Sequence, residues 1–240
     1  MFNKEENFTE NLLAIDCASV TCSVAVYGQK RILCNIDTDV RKTHSVTLLP
    51  SIDASLKFTG LSVSDLSGIC VTVGPGSFTG LKIGISTAKG LAFNDDIPCY
   101  AVSSMTALAY GYCGFDGIVC ASFDARRNML YNALFLSQNG VMTRLCQDRQ
   151  SSVSEAVAET IDLSGQYGLP AYFVGDGAAL CSDSLNGFSA EIFTDGIKAS
   201  SIISAVLAGD CVCIDAESLL PEYLRPSQAE RERTEKGEHE

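Results

Sequence analysis

Gly74-Pro75-Gly76-Ser77-Phe78-Thr79-Gly80-Leu81-Lys82-Ile83-Gly84 is the stretch on which the reading of this chain turns. It follows Ile69-Cys70-Val71-Thr72-Val73, a short apolar run that reads as a buried strand. It leads into Ile85-Ser86-Thr87-Ala88-Lys89-Gly90-Leu91-Ala92, which reads as a helix to about Phe93. A strand, a glycine-rich turn and a helix present backbone N–H groups and a helix N-terminus to an anion, or simply let the helix pack closely. The stretch is not a Walker loop, because that motif needs Gly-Lys-Ser/Thr where this chain has Gly80-Leu81-Lys82-Ile83. Gly80, Gly84 and Ala88 repeat every fourth residue and leave a groove without side chains. A helical glycine costs about 1 kcal/mol relative to alanine, so the groove implies a close contact. The contact is with the helix's own sheet, with another helix or subunit, or with a phosphate.

Upstream, Leu12-Leu13-Ala14-Ile15-Asp16 reads as a buried strand ending in a carboxylate. Ser23 to Tyr27 and Arg31 to Ile36 follow, with Gly28-Gln29 as a tight turn between them, which makes an antiparallel meander. Leu49, Ile52 and Leu56 then recur at helix spacing, with Gly60 suited to the C-cap. Leu48 lies off that stripe, so the helix is apolar on more than one side. Pro50 fits only near the first turn or forces a kink. Downstream, Cys99 to Val102 reads as a strand, and Ser103 caps a helix to about Cys113.

The pattern then restarts. Ile118 to Asp124 is again a strand ending in Asp, and Met129 to Ser137 and Val141 to Gln147 complete a second meander. Ser154 to Leu163 reads as helix and Ala171 to Val174 as strand. Gly175-Asp176-Gly177 is a second Gly-x-Gly turn, followed by a helix candidate, a short strand from Ala190 to Phe193 and a helix from Lys198 to Leu207. The order strand-strand-strand-helix-strand-helix-strand thus appears twice, a duplication visible in the punctuation rather than in residue identity. It predicts a two-lobed α/β fold of the actin/sugar-kinase-like (ribonuclease H-like) kind, with a first lobe over 1–102, a second over 103–229 and a charged, disordered tail over 230–240.

Composition narrows the function. The 240 residues carry a net charge of −12, which disfavours direct gripping of a phosphate backbone; if the chain works near nucleic acid, a partner does the holding. Eleven cysteines, an odd number without Cys-x-x-Cys, do not make a disulfide framework. Cys211-Val212-Cys213 reads as strand or core filler. No apolar run reaches the roughly 18 residues of a membrane span. The opening Met1-Phe2-Asn3-Lys4-Glu5-Glu6-Asn7 lacks a basic then apolar leader. A reduced, cytoplasmic chain is expected.

Candidate chemistry is sparse. Asp16 binds a metal–nucleotide complex or hydrogen-bonds its own turn, and Asp124 is a phosphate-site carboxylate or the partner of Arg126 and Arg127 beside it. The first turn, Asp16-Cys17-Ala18-Ser19-Val20-Thr21, has no glycine, which hinders backbone approach to a phosphate. His44 and His239 are the two histidines. By spacing, no His/Cys/Asp/Glu set suits a metal, and one ordered His cannot serve a Ser/His/Asp or Cys/His nucleophile set. A glycopeptidase reading fails on both counts. An ATP-dependent kinase or ATPase using Asp16 and Asp124 across a cleft is the alternative to a binding role.

The glycine stretch closely resembles the signature of the bacterial TsaB family. Leu13-Ala14-Ile15-Asp16 with Ser19, His44-Ser45 with Leu48-Leu49-Pro50, Asp124-Ala125-Arg126-Arg127 with Tyr131, and Pro221-Glu222-Tyr223-Leu224-Arg225-Pro226-Ser227 with Ala229-Glu230 are similar to further segments of that family. The resemblance covers about residues 12–230 and is weakest over 145–215. It implies the actin/sugar-kinase-like fold and a non-catalytic role, without cofactor, in making threonylcarbamoyladenosine in tRNA. It implies TsaD as heterodimer partner, TsaE as a further member of the complex, and homodimerisation through the surface that meets TsaD. It places that surface on the first two helices, implicating His44, Leu48, Leu49, Ile52, Leu81, Lys82 and Ile85; Asp16, Ser19 and Asp124 are nucleotide-site candidates only under the alternative ATP-binding reading. On that reading Leu48→Glu abolishes pairing and leaves the monomer folded.

Overall fold

Leu12–Asp16 (β1), Cys22–Gly28 (β2) and Arg31–Thr38 (β3) form an antiparallel meander, with Ile15 opposite Val24 and Val24 opposite Ile36. β1 and β2 are buried at every residue, which explains their unbroken apolar runs, whereas β3 lies at the sheet edge and is largely open to solvent. The computed structural model describes residues 11–40, 43–93, 95–185 and 187–224. The N-terminal residues before 11, the charged tail and the second half of the C-terminal signature lie outside the described residues.

His44–Thr59 (α1), Gly68–Gly74 (β4), Phe78–Ala92 (α2), Cys99–Ser103 (β5) and Ser104–Tyr110 (α3) complete the first run. β4 pairs in parallel with β1, and β5 with β4, so the order is β3-β2-β1-β4-β5. Gly117–Asp124 (β6), Met129–Gln138 (β7), Val141–Arg144 (β8), Arg149–Ser152 (β9), Val153–Tyr167 (α4), Ala171–Val174 (β10), Ala178–Cys181 (α5) and Glu191–Phe193 (β11) make the second run. Its order, β8-β7-β6-β10-β11, has the same topology as the first. The duplicated, actin/sugar-kinase-like α/β fold read from the sequence is therefore present.

Three features depart from the simple duplication. β9 is an additional strand on β7, α5 is a single turn, and the last strand, Val212–Ile214 (β12), returns to the first sheet and pairs antiparallel with β5. The helix before it, Ala199–Ala208 (α6), packs on β1, β2 and β4 and against α3. One continuous core joins both sheets through these two helices: Met105, Leu108, Ile202 and Ile203 pack together with Ile15 and Val71 of the first sheet and Val119 and Phe135 of the second. A smaller cluster around Leu134, Val157 and Phe173 sits under α4. No helix among the described residues is long and apolar enough to cross a membrane.

A polar pin ties the end of β5 and the start of α3 to the connection between β8 and β9. Ser103 Oγ accepts from the N–H groups of Met105 and Thr106, capping α3 as expected, and donates to Asp148 Oδ2 at 2.6 Å. Arg144 bonds Asp148 Oδ1 at 2.6 Å, donates to Ser103 and Thr106, and lies over the Phe135 ring. Both charged side chains are mostly buried. Arg144→Ala strands the Asp148 carboxylate and is expected to cost about 3 kcal/mol. In a domain of this size that is a fall of roughly 6–12 °C in Tm, measurable by calorimetry.

Candidate functional site

The first turn of α2 lies directly on the β1–β2 turn. Ser77 caps α2 by accepting from Gly80 N at 3.2 Å, and its own N–H donates to Ala18 O at 2.7 Å. A Cβ at Gly80 would collide with the Cys17 carbonyl oxygen, and one at Gly76 with that of Ala18. One at Gly84 would only touch Cys17 and Ile15. Of the three contacts the groove could serve, the structure gives its own sheet. Gly74, at φ +130, is closed in the same way by the Glu222 carbonyl, and Glu222 N donates to Val73 O at 2.7 Å. Tyr223 stacks on Phe78 with centroids 4.7 Å apart, and Lys82 Nζ stands 4.0 Å from the Phe78 ring centroid. The glycine signature and the described part of the C-terminal signature thus meet in space.

Beside this junction a cleft of about 780 Å³ opens between the lobes. Ala18, Ser19, His44, Ser77 and Gly80 line one side; Phe123, Asp124, Arg126, Tyr131 and Asp176 line the other. Several polar groups in and behind it are bonded within their own turns. Asp16 is fully buried on the sheet face shared with Ser23 and covered by α6, whose Ala199 N donates to Ser23 Oγ. Its Oδ1 accepts from Thr72 Oγ1 at 2.7 Å and Ala18 N at 3.2 Å, Oδ2 has no partner, and burial pushes its pKa up to about 7. Ser19 Oγ accepts from Thr21 N. Asp124 accepts from Arg126 through N–H at 2.7 Å and through Nη1 at 3.3 Å. Asp176 accepts from Asp124 N at 2.9 Å, and burial raises its pKa. The second Gly-x-Gly turn is filled from within: a Cβ at Gly175 would meet the Ser122 carbonyl, and one at Gly177 the Phe123 backbone. Asp124 lines the cleft, whereas Asp16 is buried and is not among the lining residues.

The sequence grouped seven residues as one surface, and the structure divides them. Leu48, 1% exposed, packs in the core with Ile52, Leu81 and Ile85, so these four form no surface. Leu49 is 57% exposed, and its neighbours on the outer side are Val46, 58% exposed, and Pro50. Pro50 is the seventh residue of α1, beyond the first turn. Lys82 is exposed and His44 half-buried. The inward stripe of α1 is Leu48, Ile52 and Leu56, and Leu49 lies off it, the reverse of the expected assignment. The exposed large apolar side chains of the first two helices are thus Val46, Leu49 and Phe58 on α1 and Phe78 on α2, with Val46, Leu49 and Phe78 toward the N-terminal ends of the two helices.

Spacing suggested no metal-ligating set, yet the structure brings one together: the donor atoms of Cys17, Cys22 and His44 lie within 4.8 Å of one another. Two of them flank one turn, and α1 packing on β2 supplies the third. The Cys17 and Cys22 sulfurs share a hydrogen bond that holds the Cys22 thiol below its usual range, an effect His44 reinforces. The same contact pushes Cys17 up, and Cys22 raises His44. Cys22 is only 1% exposed, so this Cys–His pair is closed to a substrate as it stands.

A family model described as TsaD: tRNA N6-adenosine threonylcarbamoyltransferase matches residues 36–206. The tRNA threonylcarbamoyladenosine biosynthesis protein TsaB of Bacillus subtilis is 31% identical over 225 residues, spanning 91% of this chain and 96% of that protein. The TsaB protein of Escherichia coli is 35% identical over 133 residues, 54% of this chain and 57% of its own length. Among solved structures, YeaZ from Pseudomonas aeruginosa superposes with a TM-score of 0.77 at 27% identity, covering 90% of this chain and all of the other. With a family model matched over most of its length and a relative aligned almost end to end, the chain belongs to the TsaB family.

Proposed function

We propose that this chain supports the formation of threonylcarbamoyladenosine in tRNA as a non-catalytic partner of a TsaD protein, with TsaE joining the complex. The observation that carries the reading is the pairing of a spent cleft with an open helical face. Asp124 and Asp176 in the cleft are bonded within the second lobe's turns, Asp16 is buried, and the chain's own backbone closes over the glycines of both turns. Beside it, Val46, Leu49 and Phe78 stand in solvent on two neighbouring helices, with Lys82 at their edge. Such a patch with a charged rim suits a protein interface. The same face serves for a homodimer in the absence of TsaD. The net charge of −12 leaves tRNA binding to the partner.

Co-purification with TsaD and TsaE, with threonylcarbamoyladenosine formation measured with and without this chain, tests the proposal. A stable complex and modification that depends on the chain are expected; full modification without it would overturn the reading. In calorimetric titration, magnesium-ATP is expected to bind the isolated chain no tighter than about 1 mM, near −4 kcal/mol. Micromolar binding with turnover, lost in Asp124→Ala, would instead place chemistry in the cleft.

A further inference from the structure

The β1–β2 turn folds two thiols back onto the first residue of α1, and the interface reading makes no use of them. Cys17 and Cys22 are buried, with sulfurs 3.9 Å apart. Two thiolates on one tetrahedral zinc, each about 2.3 Å from the metal, stand about 3.8 Å from one another. The pair therefore already has the spacing that zinc requires. His44 completes a compact set of three donors. Its Nε2–H is given to Ser19 O at 2.8 Å, which orients the ring and leaves Nδ1 to the sulfurs. A ligating histidine is held in this way by a backbone carbonyl. Beside Cys22, the buried Thr47 hydroxyl stands next to the sulfur, where it would support a thiolate.

We propose that Cys17, Cys22 and His44 form a zinc site that clips the β1–β2 turn to the N-terminus of α1. The donor set suits a thiophilic cation, since two sulfurs and an imidazole select zinc over magnesium or calcium. On binding, two Zn–S bonds and one Zn–N bond form, the two thiol protons pass to solvent, and the imidazole is held neutral. Zn²⁺ with two thiolates carries no net charge, which limits the cost of burying it. The fourth position falls to water or to a donor entering from the cleft that Ser19 and His44 line. No oxidant or reductant is involved.

The test uses the full chain, kept reduced, with zinc chloride as the only added ligand. The expected result is one zinc retained per chain after passage over a chelating resin. Alkylation of Cys17 and Cys22 should then be slower than in the same chain stripped of zinc, while the rate at the half-buried Cys34 is the same in both. Cobalt(II) in place of zinc should show thiolate charge-transfer absorption and tetrahedral d–d bands. Cys17→Ser and Cys22→Ser should each weaken zinc binding by about 100-fold or more, while Cys34→Ser leaves it unchanged. Because Cys22 belongs to the core, the alkylation and cobalt readouts on the unaltered protein test the site without any substitution. Zinc binding undiminished in both serine variants, a cobalt spectrum without thiolate charge transfer, or a Cys17–Cys22 disulfide in place of zinc protection would each overturn the proposal.

Discussion

Replacing Val46 and Leu49 together by glutamate should abolish the complex with TsaD and the modification that depends on it, while Tm stays within about 2 °C. Both side chains are more than half exposed in the isolated chain, so the charges cost the monomer little. In a complex, the same charges would be buried without partners. An uncompensated buried charge costs about 3–5 kcal/mol, which weakens association by roughly 100-fold to several thousand-fold. Size-exclusion chromatography with TsaD reads the loss directly, and an unchanged complex would remove this face from the interface. Leu48→Glu, which the sequence reading took for an interface probe, tests something else. Leu48 packs in the core with Ile52 and Leu81, so the glutamate is expected to unfold the protein.

Gly80→Ala and Gly84→Ala should move stability in opposite directions, although both add one methyl to the same helix. At Gly80 the methyl would collide with the Cys17 carbonyl, which is backbone and cannot rotate away. The turn or the helix must shift, at a cost of about 3 kcal/mol, or roughly 6–12 °C in Tm. At Gly84 the nearest atom to the new methyl is Cys17 Cβ at 3.5 Å, an ordinary contact. There the gain in helix propensity, about 1 kcal/mol, should dominate and raise Tm. Thermal unfolding of the two variants side by side decides the matter. Equal effects would mean that α2 does not rest on the β1–β2 turn as described.

Local order was the part of this molecule legible in its sequence. Apolar runs ending in Asp16 and Asp124, turns at Gly28 and Gly175, and the Ser103 cap mark elements whose signals lie within a few residues. Their repetition revealed the duplication. β9 escaped because Arg149-Gln150-Ser151-Ser152 has neither alternation nor apolar content; it forms because β7 offers an edge for pairing. The pairing of β12 with β5 spans more than a hundred residues and leaves no local mark. Periodicity identified α1 but could not say which apolar side turned inward. Leu48 and Leu49 are adjacent and equally apolar, and only the position of β2 and α2 buries one and exposes the other. The Cys17, Cys22 and His44 cluster was hidden for the same reason, since linear spacing does not report what a helix brings back onto a strand.

The pairing of β12 with β5, and of Glu222 with Val73, has a consequence for the chain as it leaves the ribosome. The sheet that begins at β1 acquires its last strand only when residues 212–214 emerge. At about 5–20 residues per second, the stretch from β5 to β12 takes roughly 5–20 seconds to synthesise. For that interval the outer edge of β5 offers unpaired backbone groups to any other extended segment. The second half of translation is therefore the period in which this protein is most exposed to mispairing and most dependent on being shielded from its neighbours.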